Sequence, residues 1–149
     1  MIKIILTEPN KILRTKSAPV VPEKINTPSF QELFSDMTET MINANGVGIA
    51  ANQIGLTERV IVADIKGPTP LINPEIVSHS LLKIDSEEGC LSVPGKWGMV
   101  RRWRNVKIKA LDKNGKEVRM SLKGLPAIVL QHEIDHLDGI LFIDRIGKK

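Results

Sequence analysis

The stretch QHEIDH, residues 131–136, lies inside the longer segment LPAIVLQHEIDHLDG, residues 125–139. Pro126 suits the first turn of a helix and Gly139 suits the position just after its end, so the segment predicts one helix. From Ala127 to Leu130 the helix is apolar on most of its circumference, which indicates that it is buried, inside the sheets. Its polar residues then need partners, because burial of an unpaired charge is costly.

His132 and His136 are four residues apart, and a helix places such a pair on the same side, one turn apart. The two imidazoles can therefore bind one cation. Glu133 lies about 100° further round the helix, where it flanks the cation without binding it. A carboxylate in that place can take a proton from water and deliver it to a leaving amine. The pattern predicts a metal site with a general base, although a polar patch on an ordinary helix remains an alternative at this point.

A catalytic metal of this kind has three protein ligands and one open position. The third ligand can be a carboxylate, the remaining histidine His79, or Cys90. His79, in SHSLL, is predicted to be an exposed polar residue. Cys90, in EEGCLSVP, follows a glycine that allows close approach of the backbone. A single buried cysteine is otherwise a small apolar filler, and the residues alone favour that interpretation.

The rest of the chain alternates between one further helix and several strands. A helix beginning at Pro28 and ending before Asn45-Gly46 is indicated by apolar residues at helical spacing. Strands are predicted for RVIVADI, LINPEIV, SLLKIDSEEG, VKIKAL and EVRMSL, the last two joined by a two-residue primed turn at Asn114-Gly115. The expected fold is α+β, in which antiparallel sheets surround the central His-Glu-x-x-His helix and one N-terminal helix packs outside. Residues 1–149 are expected to form a single domain.

Net charge, hydropathy and the cysteine count indicate which partners, which location and which cross-links this protein can have. The net charge of +4 is only a mild bias toward acidic partners. The densest basic segment, residues 101–109, is predicted to be a strand with one solvated face. No apolar run approaches the roughly 18 residues that span a bilayer, and MIKIILTEPN is too soon interrupted to be a signal peptide, so we expect a cytoplasmic protein without membrane contact. One cysteine excludes an intramolecular disulfide.

Three segments together resemble the signature motifs of peptide deformylases: GVGIAANQ (46–53), EGCLS (88–92) and QHEIDH (131–136). They occur in the family's order, and LINPEI, VKIKALDKNGKE and HLDGILFIDR are also similar to family members, so the resemblance covers nearly the whole chain. It implies a metallohydrolase that acts on a linear amide. The reaction would remove the N-terminal formyl group from N-formylmethionyl peptides and nascent proteins during protein biosynthesis, releasing formate.

The resemblance also implies residue roles. Cys90, His132 and His136 would be the metal ligands, and Glu133 the general base and then the general acid. Gln53 and the backbone N–H of Leu91 would stabilise the oxyanion; the alternative for Gln53 is an amide that stabilises a turn. This chain has no tyrosine for an oxyanion, which makes an amide a sensible replacement. Substrate contacts would come from Gly48, Gly89, Leu125, Ile128 and Val129, the last three as walls of a methionine pocket or simply as core.

The implied cofactor is one divalent metal per chain. A thiolate ligand makes ferrous iron plausible beside zinc, and the resemblance implies Fe²⁺ in vivo with Zn²⁺, Ni²⁺ or Co²⁺ as substitutes. We expect a monomer. The sequence ends at Lys149, whereas many bacterial members continue into a C-terminal helix implicated in ribosome docking. We therefore expect a short bacterial or phage-type form with only weak ribosome association, not by that route.

Two further residues stand out: Trp97 departs from the usual family pattern, and Arg102 needs a partner for its charge. Trp97 stands where many relatives carry arginine or tyrosine, either shaping the substrate cleft or packing on the surface. Arg102 is hypothesised to pair with Glu88 and support the metal loop.

Two rival functions remain at this point. A small metalloendopeptidase would take its third ligand from Asp138 or Asp144, and a module without activity would bind ribosomal RNA through the basic segment.

Overall fold

A computed structural model describes residues 1–148 of the chain; Lys149, the last residue of the expected domain, lies outside them. Two α-helices are present in the described part, α1 (Pro28–Asn43) and α2 (Leu125–Leu137). The strands there are β1 (Gly48–Ala50), β2 (Val60–Asp64), β3 (Pro68–His79), β4 (Lys83–Cys90), β5 (Val93–Trp103), β6 (Asn105–Leu111) and β7 (Glu117–Lys123). The fold is α+β, as the sequence predicted.

All strand pairs are antiparallel. A five-stranded sheet has the order β1-β2-β3-β6-β7, and β4 pairs with β5 in a separate hairpin. The two faces of the large sheet pack against different helices. Ile61 and Ala63 of β2 belong to the core cluster that includes α2, whereas Val60 and Val62 belong to the cluster that includes α1. Burial on both faces explains why β2 is a continuous apolar run rather than an alternating one.

Helix α2 is the centre of the molecule. Gly124, with φ of 66°, ends the connection from β7, and Pro126 lies in the first turn of the helix. Leu130 and Leu137 are fully buried against the large sheet. Burial of each side chain stabilises the fold by about 1.5–3 kcal/mol, and Leu130→Ala would cost about 2–5 kcal/mol. No helix in residues 1–148 combines the length and the apolar character that a membrane crossing needs.

The turn between β6 and β7 differs from the prediction. A two-residue primed turn needs positive φ at both central residues, but here Gly115 has φ of 84° and Asn114 does not have a positive φ. The loop is longer, because Asp112 caps it. The Asp112 carboxylate accepts hydrogen bonds from the N–H groups of Asn114 and Lys116, at 2.8 and 3.0 Å. A side chain that mimics a backbone turn thus overrides the short-turn signal of Asn-Gly.

The basic segment also differs from the prediction. It spans two strands rather than one, because β5 ends at Trp103 and β6 begins at Asn105. Arg102 is only 4% exposed, so its guanidinium does not face solvent. Lys109 contacts Glu117 on β7 at 3.6 Å. The segment therefore does not form one continuous cationic face, which weakens the RNA-binding alternative.

Candidate metal centre

Three predicted ligands converge although they come from distant parts of the chain. Cys90 is the last residue of β4, and His132 and His136 lie one turn apart on α2. One ligand atom from each residue lies within 4.8 Å of the others. Cys90 Sγ is 3.2 Å from His136 Nε2, across 46 residues of sequence. His79, the other histidine, is exposed and stacks on Trp103, as its sequence context predicted.

The orientation of His132 is set by a carboxylate behind it. Its Nδ1 lies 2.9 Å from Glu88 Oε1, so Nδ1–H donates to Glu88 and Nε2 is left for a cation. Glu88 in turn accepts two hydrogen bonds from Arg102, from Nε at 2.9 Å and Nη2 at 2.8 Å. The predicted pairing of Arg102 with Glu88 is confirmed. A carboxylate behind a histidine ligand selects its tautomer and raises its basicity.

The charges around the site follow from burial and pairing. Burial alone would raise the pKa of Glu88, but hydrogen bonds from Arg102 and His132 hold it down at about 2. Burial lowers the pKa of His136 well below its ordinary value, and the nearby positive charge of Arg102 adds to the effect. His136 is therefore neutral at neutral pH, which is the form that binds a metal.

The donor set fits a divalent transition metal. One thiolate and two imidazoles suit zinc and iron, and three protein ligands leave one position open for chemistry. Two buried atoms near the ligands, His136 Nδ1 and Glu133 Oε2, have no hydrogen-bond partner within residues 1–148. An unpaired buried carboxylate oxygen needs a partner, and beside a ligand cluster a water or a substrate group can supply one.

The structure does not bring the alternative third ligands to the histidines. Asp138 accepts a hydrogen bond from Arg59 at 2.9 Å, and Asp144 contacts Arg14 and the Leu141 backbone. Both aspartates are more than one third exposed on their side chains. The ligand set that a metalloendopeptidase would need is thus absent from the described part of the chain.

Glu133 is 4% exposed and lies beside the ligands. Burial raises its pKa to about 7, with the carboxylates of Glu88 and Asp135 adding to the effect while His132 and Arg102 oppose it. A cation bound by the neighbouring histidines would lower that pKa by direct attraction. A carboxylate balanced between these effects can both accept and return a proton near neutral pH.

The Gln53 side chain is held at both ends. It lies in a short 3-10 helix, Ala51–Ile54, directly after β1. Its Oε1 accepts a hydrogen bond from the Ala50 N–H at 2.9 Å, and its Nε2 donates to Ser92 Oγ at 3.0 Å. Nε2 is also 3.8 Å from Cys90 Sγ. The amide is therefore oriented with its nitrogen toward the ligand cluster. The Gln53 side chain also stabilises the turn after β1, as the alternative interpretation of this residue predicted.

A cleft of about 450 Å³ opens onto the ligands. It is lined by most of the predicted site residues: Gly48, Gln53, Gly89, Cys90, Leu91, Leu125, Ile128, Val129, His132 and Glu133. His136 lies deeper, 1% exposed. Trp97 also lines the cleft, and its ring rests on Gly89 so closely that a Cβ there would lie 2.6 Å from the indole.

Two supporting residues were not predicted. Ser92 is fully buried and receives the Gln53 hydrogen bond; its place in the EGCLS motif was the available signal. Arg145 donates two hydrogen bonds to Asp135 of α2 at 2.6 and 2.9 Å. A buried aspartate on an apolar helix signalled the need for a cation, but nothing local identified which arginine would supply it.

Comparison with known proteins places this geometry in a family. Residues 2–149 match the family model described as Polypeptide deformylase. A peptide deformylase of Syntrophomonas wolfei is 50% identical over 142 residues, which cover 95% of this chain and 91% of that protein.

Comparison with solved structures leads to the same family. Class I type b peptide deformylase from Acinetobacter baumannii has been solved with actinonin bound, with a TM-score of 0.95 and 39% identity over 99% of both chains. The same enzyme with Met-Ala-Ser bound has a TM-score of 0.94 and 38% identity over 98% of this chain and 99% of that one. With a family match over nearly its whole length, the chain belongs to the polypeptide deformylase family.

Proposed function

We propose that the chain removes the formyl group from N-formylmethionyl peptides and nascent proteins, releasing formate. The observation that carries this proposal is the buried Glu133 carboxylate beside three converging ligands at the floor of a cleft. The family match supports the same reaction. A relative binds Met-Ala-Ser, and we propose that this cleft binds peptides that begin with methionine.

Cys90, His132 and His136 would hold one divalent cation. When bound there, the cation supplies Lewis acidity, polarising a carbonyl oxygen and making water a nucleophile near neutral pH. Glu133 would take the proton from the attacking water and return it to the nitrogen of the departing amine. Its burial beside the ligands supports both steps, because burial raises the pKa of this carboxyl while a bound cation would lower it, and the two effects oppose each other.

The other residues would bind and orient the substrate. Gln53 Nε2 and the Leu91 N–H would donate hydrogen bonds to the oxygen that becomes negative, and preorganised donors of this kind contribute about 2.7–4 kcal/mol. The backbones of Gly48 and Gly89 would bind the peptide chain. Leu125, Ile128 and Val129 would enclose the methionine side chain; all three line the cleft, with Leu125 at its exposed mouth and Val129 buried.

For the metal we propose Fe²⁺ in vivo, with Zn²⁺, Ni²⁺ or Co²⁺ as substitutes. A single thiolate beside two imidazoles suits all four ions. Metal analysis of protein purified without oxygen tests the choice, since iron near one per chain is expected.

We also propose that residues 1–149 act as a monomeric single domain in the cytoplasm with weak ribosome association. Sedimentation of the protein with and without ribosomes tests the oligomeric state and the association.

The deciding experiment is formate release from formyl-Met-Ala-Ser by the ferrous protein prepared without oxygen. Release is expected to depend on metal and to be absent for acetyl-Met-Ala-Ser. Glu133→Gln should keep its metal and lose about 10²–10⁴-fold in kcat, whereas His132→Ala should lose the metal. Near-normal turnover by Glu133→Gln would refute the role of Glu133. No release from protein with one metal per chain would refute the proposed reaction.

A further inference from the structure

A chain of alternating charges runs from Arg145 at the surface to the histidine His132 in the metal centre. Arg145, near the C-terminus, contacts Asp135 through both guanidinium branches, Nε at 2.6 Å and Nη2 at 2.9 Å. Asp135 Oδ2 also accepts a hydrogen bond from Arg102 Nη1 at 2.6 Å. Arg102 then contacts Glu88 through Nε and Nη2, and Glu88 accepts from His132 Nδ1. Each link is a charge-assisted hydrogen bond.

Burial along this chain changes from outside to inside. The side chain of Arg145 is 42% exposed, whereas those of Asp135, Arg102 and Glu88 are 11%, 3% and 5% exposed. Arg145 is thus by far the most exposed member of the chain of charges, and His132 at the other end is 12% exposed. The inner members depend on each other, since water does not compensate their charges.

The charge balance gives Arg145 a specific effect. Without it, the single positive charge of Arg102 faces two buried carboxylates, Asp135 and Glu88. With it, Asp135 is neutralised from the solvent side, so Arg102 can keep two of its three contacting nitrogens on Glu88. Glu88 therefore stays fixed as the acceptor for His132 Nδ1–H, and His132 Nε2 stays directed at the cation position.

We propose that Arg145 is a positioning residue for the metal centre, acting through Asp135, Arg102 and Glu88 on the orientation of His132. The inference rests on the proposed metal site but not on the proposed reaction. Removing a partner directly behind a histidine ligand typically weakens metal binding about 10–100-fold. Arg145 lies three residues further back than Glu88 in the chain of charges, so its removal should have a smaller effect and raise the rate of metal loss by about 3–10-fold.

The test measures the rate at which zinc-loaded protein releases its metal to excess chelator, well below the melting temperature. Arg145→Met is compared with two controls. Arg101→Met removes an arginine whose side chain is 44% exposed, similar to that of Arg145. Arg101 pairs with Asp85 on the β4–β5 hairpin, which also carries Arg102 and Glu88, but it is not a member of the charge chain. Ile146→Ala loosens the C-terminal segment, because Ile146 packs against Gly98 and its backbone pairs with Val100. Its aliphatic side chain has no hydrogen-bond donor for Asp135.

The expected result is faster zinc release from Arg145→Met only, with both controls within twofold of the wild type. Circular dichroism verifies folding, and cobalt-loaded Arg145→Met should retain the thiolate-to-cobalt absorption band of an assembled site. Zinc release from Arg145→Met at the wild-type rate would overturn the proposal. Equal acceleration by Ile146→Ala would also overturn it, since packing of the segment would then be the cause. None of these rates depends on deformylation.

Discussion

Gly48 lies so close to Glu133 that a Cβ atom at position 48 would come within 2.6 Å of Oε1 and 2.9 Å of Cγ. Glycine is therefore required here by space, at the start of β1, so that the carboxylate can occupy its position. Gly48→Ala should displace Glu133 and reduce kcat by about 10²–10⁴-fold, the usual contribution of a positioned general base. Formate release measures the loss.

Gly46→Ala is the matched control, because its added Cβ meets the flexible end of Leu91, Cδ1, at 2.9 Å. It should lose less activity than Gly48→Ala, and both variants should keep one metal per chain. Equal activity of the two variants would contradict the steric argument.

Ser92 holds the Gln53 amide, and its removal should act through orientation rather than through the metal. Ser92→Ala leaves one N–H of a buried amide without its acceptor, which costs about 1–3 kcal/mol of stability. We expect kcat to fall about tenfold with KM nearly unchanged, less than the 10²–10³-fold expected for Gln53→Ala. Steady-state kinetics and metal content check this prediction, which a rise in KM at constant kcat would contradict.

The methionine pocket predicts a change of specificity. Val129 is 7% exposed and lines the cleft, so Val129→Phe should fill space that the methionine side chain would occupy. We expect kcat/KM for formyl-Met-Ala-Ser to fall about tenfold or more, and that for formyl-Gly-Ala-Ser to fall much less. Equal losses for both peptides would show that Val129 is only a core residue.

Removal of the metal should affect both stability and thiol reactivity. A ligand present at about 1,000 times its Kd stabilises the folded state by about 4.1 kcal/mol, so chelation should lower Tm by about 8–16 °C. Cys90 is the single cysteine of the chain, and a thiol reagent therefore reports on this site alone. Its reaction rate should rise on chelation and fall again when zinc is restored. A rate independent of metal would exclude Cys90 as a ligand.

Asp144 predicts a pH-dependent contribution away from the site. Burial alone would raise its pKa, but Arg14 and the Leu141 N–H outweigh burial and lower it below 3.8. A lowered folded-state pKa means that the stabilisation is complete above the unfolded-state value and is lost as the pH falls through the folded-state value. Asp144→Asn should therefore cost up to about 1 kcal/mol at pH 6, and the difference should shrink toward pH 2.5. Urea unfolding of both metal-free proteins measures it; a constant difference would contradict the argument.

Most of the local structure was predictable because its causes are local. The spacing of His132 and His136 places both on one helix face whatever surrounds them. The apolar run of β2 predicted a strand, and Pro28 marked the start of α1. The turn at Asn114 was mispredicted because the Asp112 side chain, two residues earlier, supplied an alternative set of hydrogen bonds.

The sequence by itself determined the helix with its paired histidines, the flanking Glu133 and the α+β order of elements, since helical and strand periodicity depend on neighbours in the chain. The residues around Cys90 left open whether it is an apolar filler or a metal ligand, and the tertiary structure brings it to His136 across 46 residues of sequence. The tertiary structure also decided that Arg102 is buried while Arg101 beside it is solvated. The burial of an arginine depends on whether distant carboxylates, here Glu88 and Asp135, arrive to compensate its charge, and no local pattern encodes their arrival.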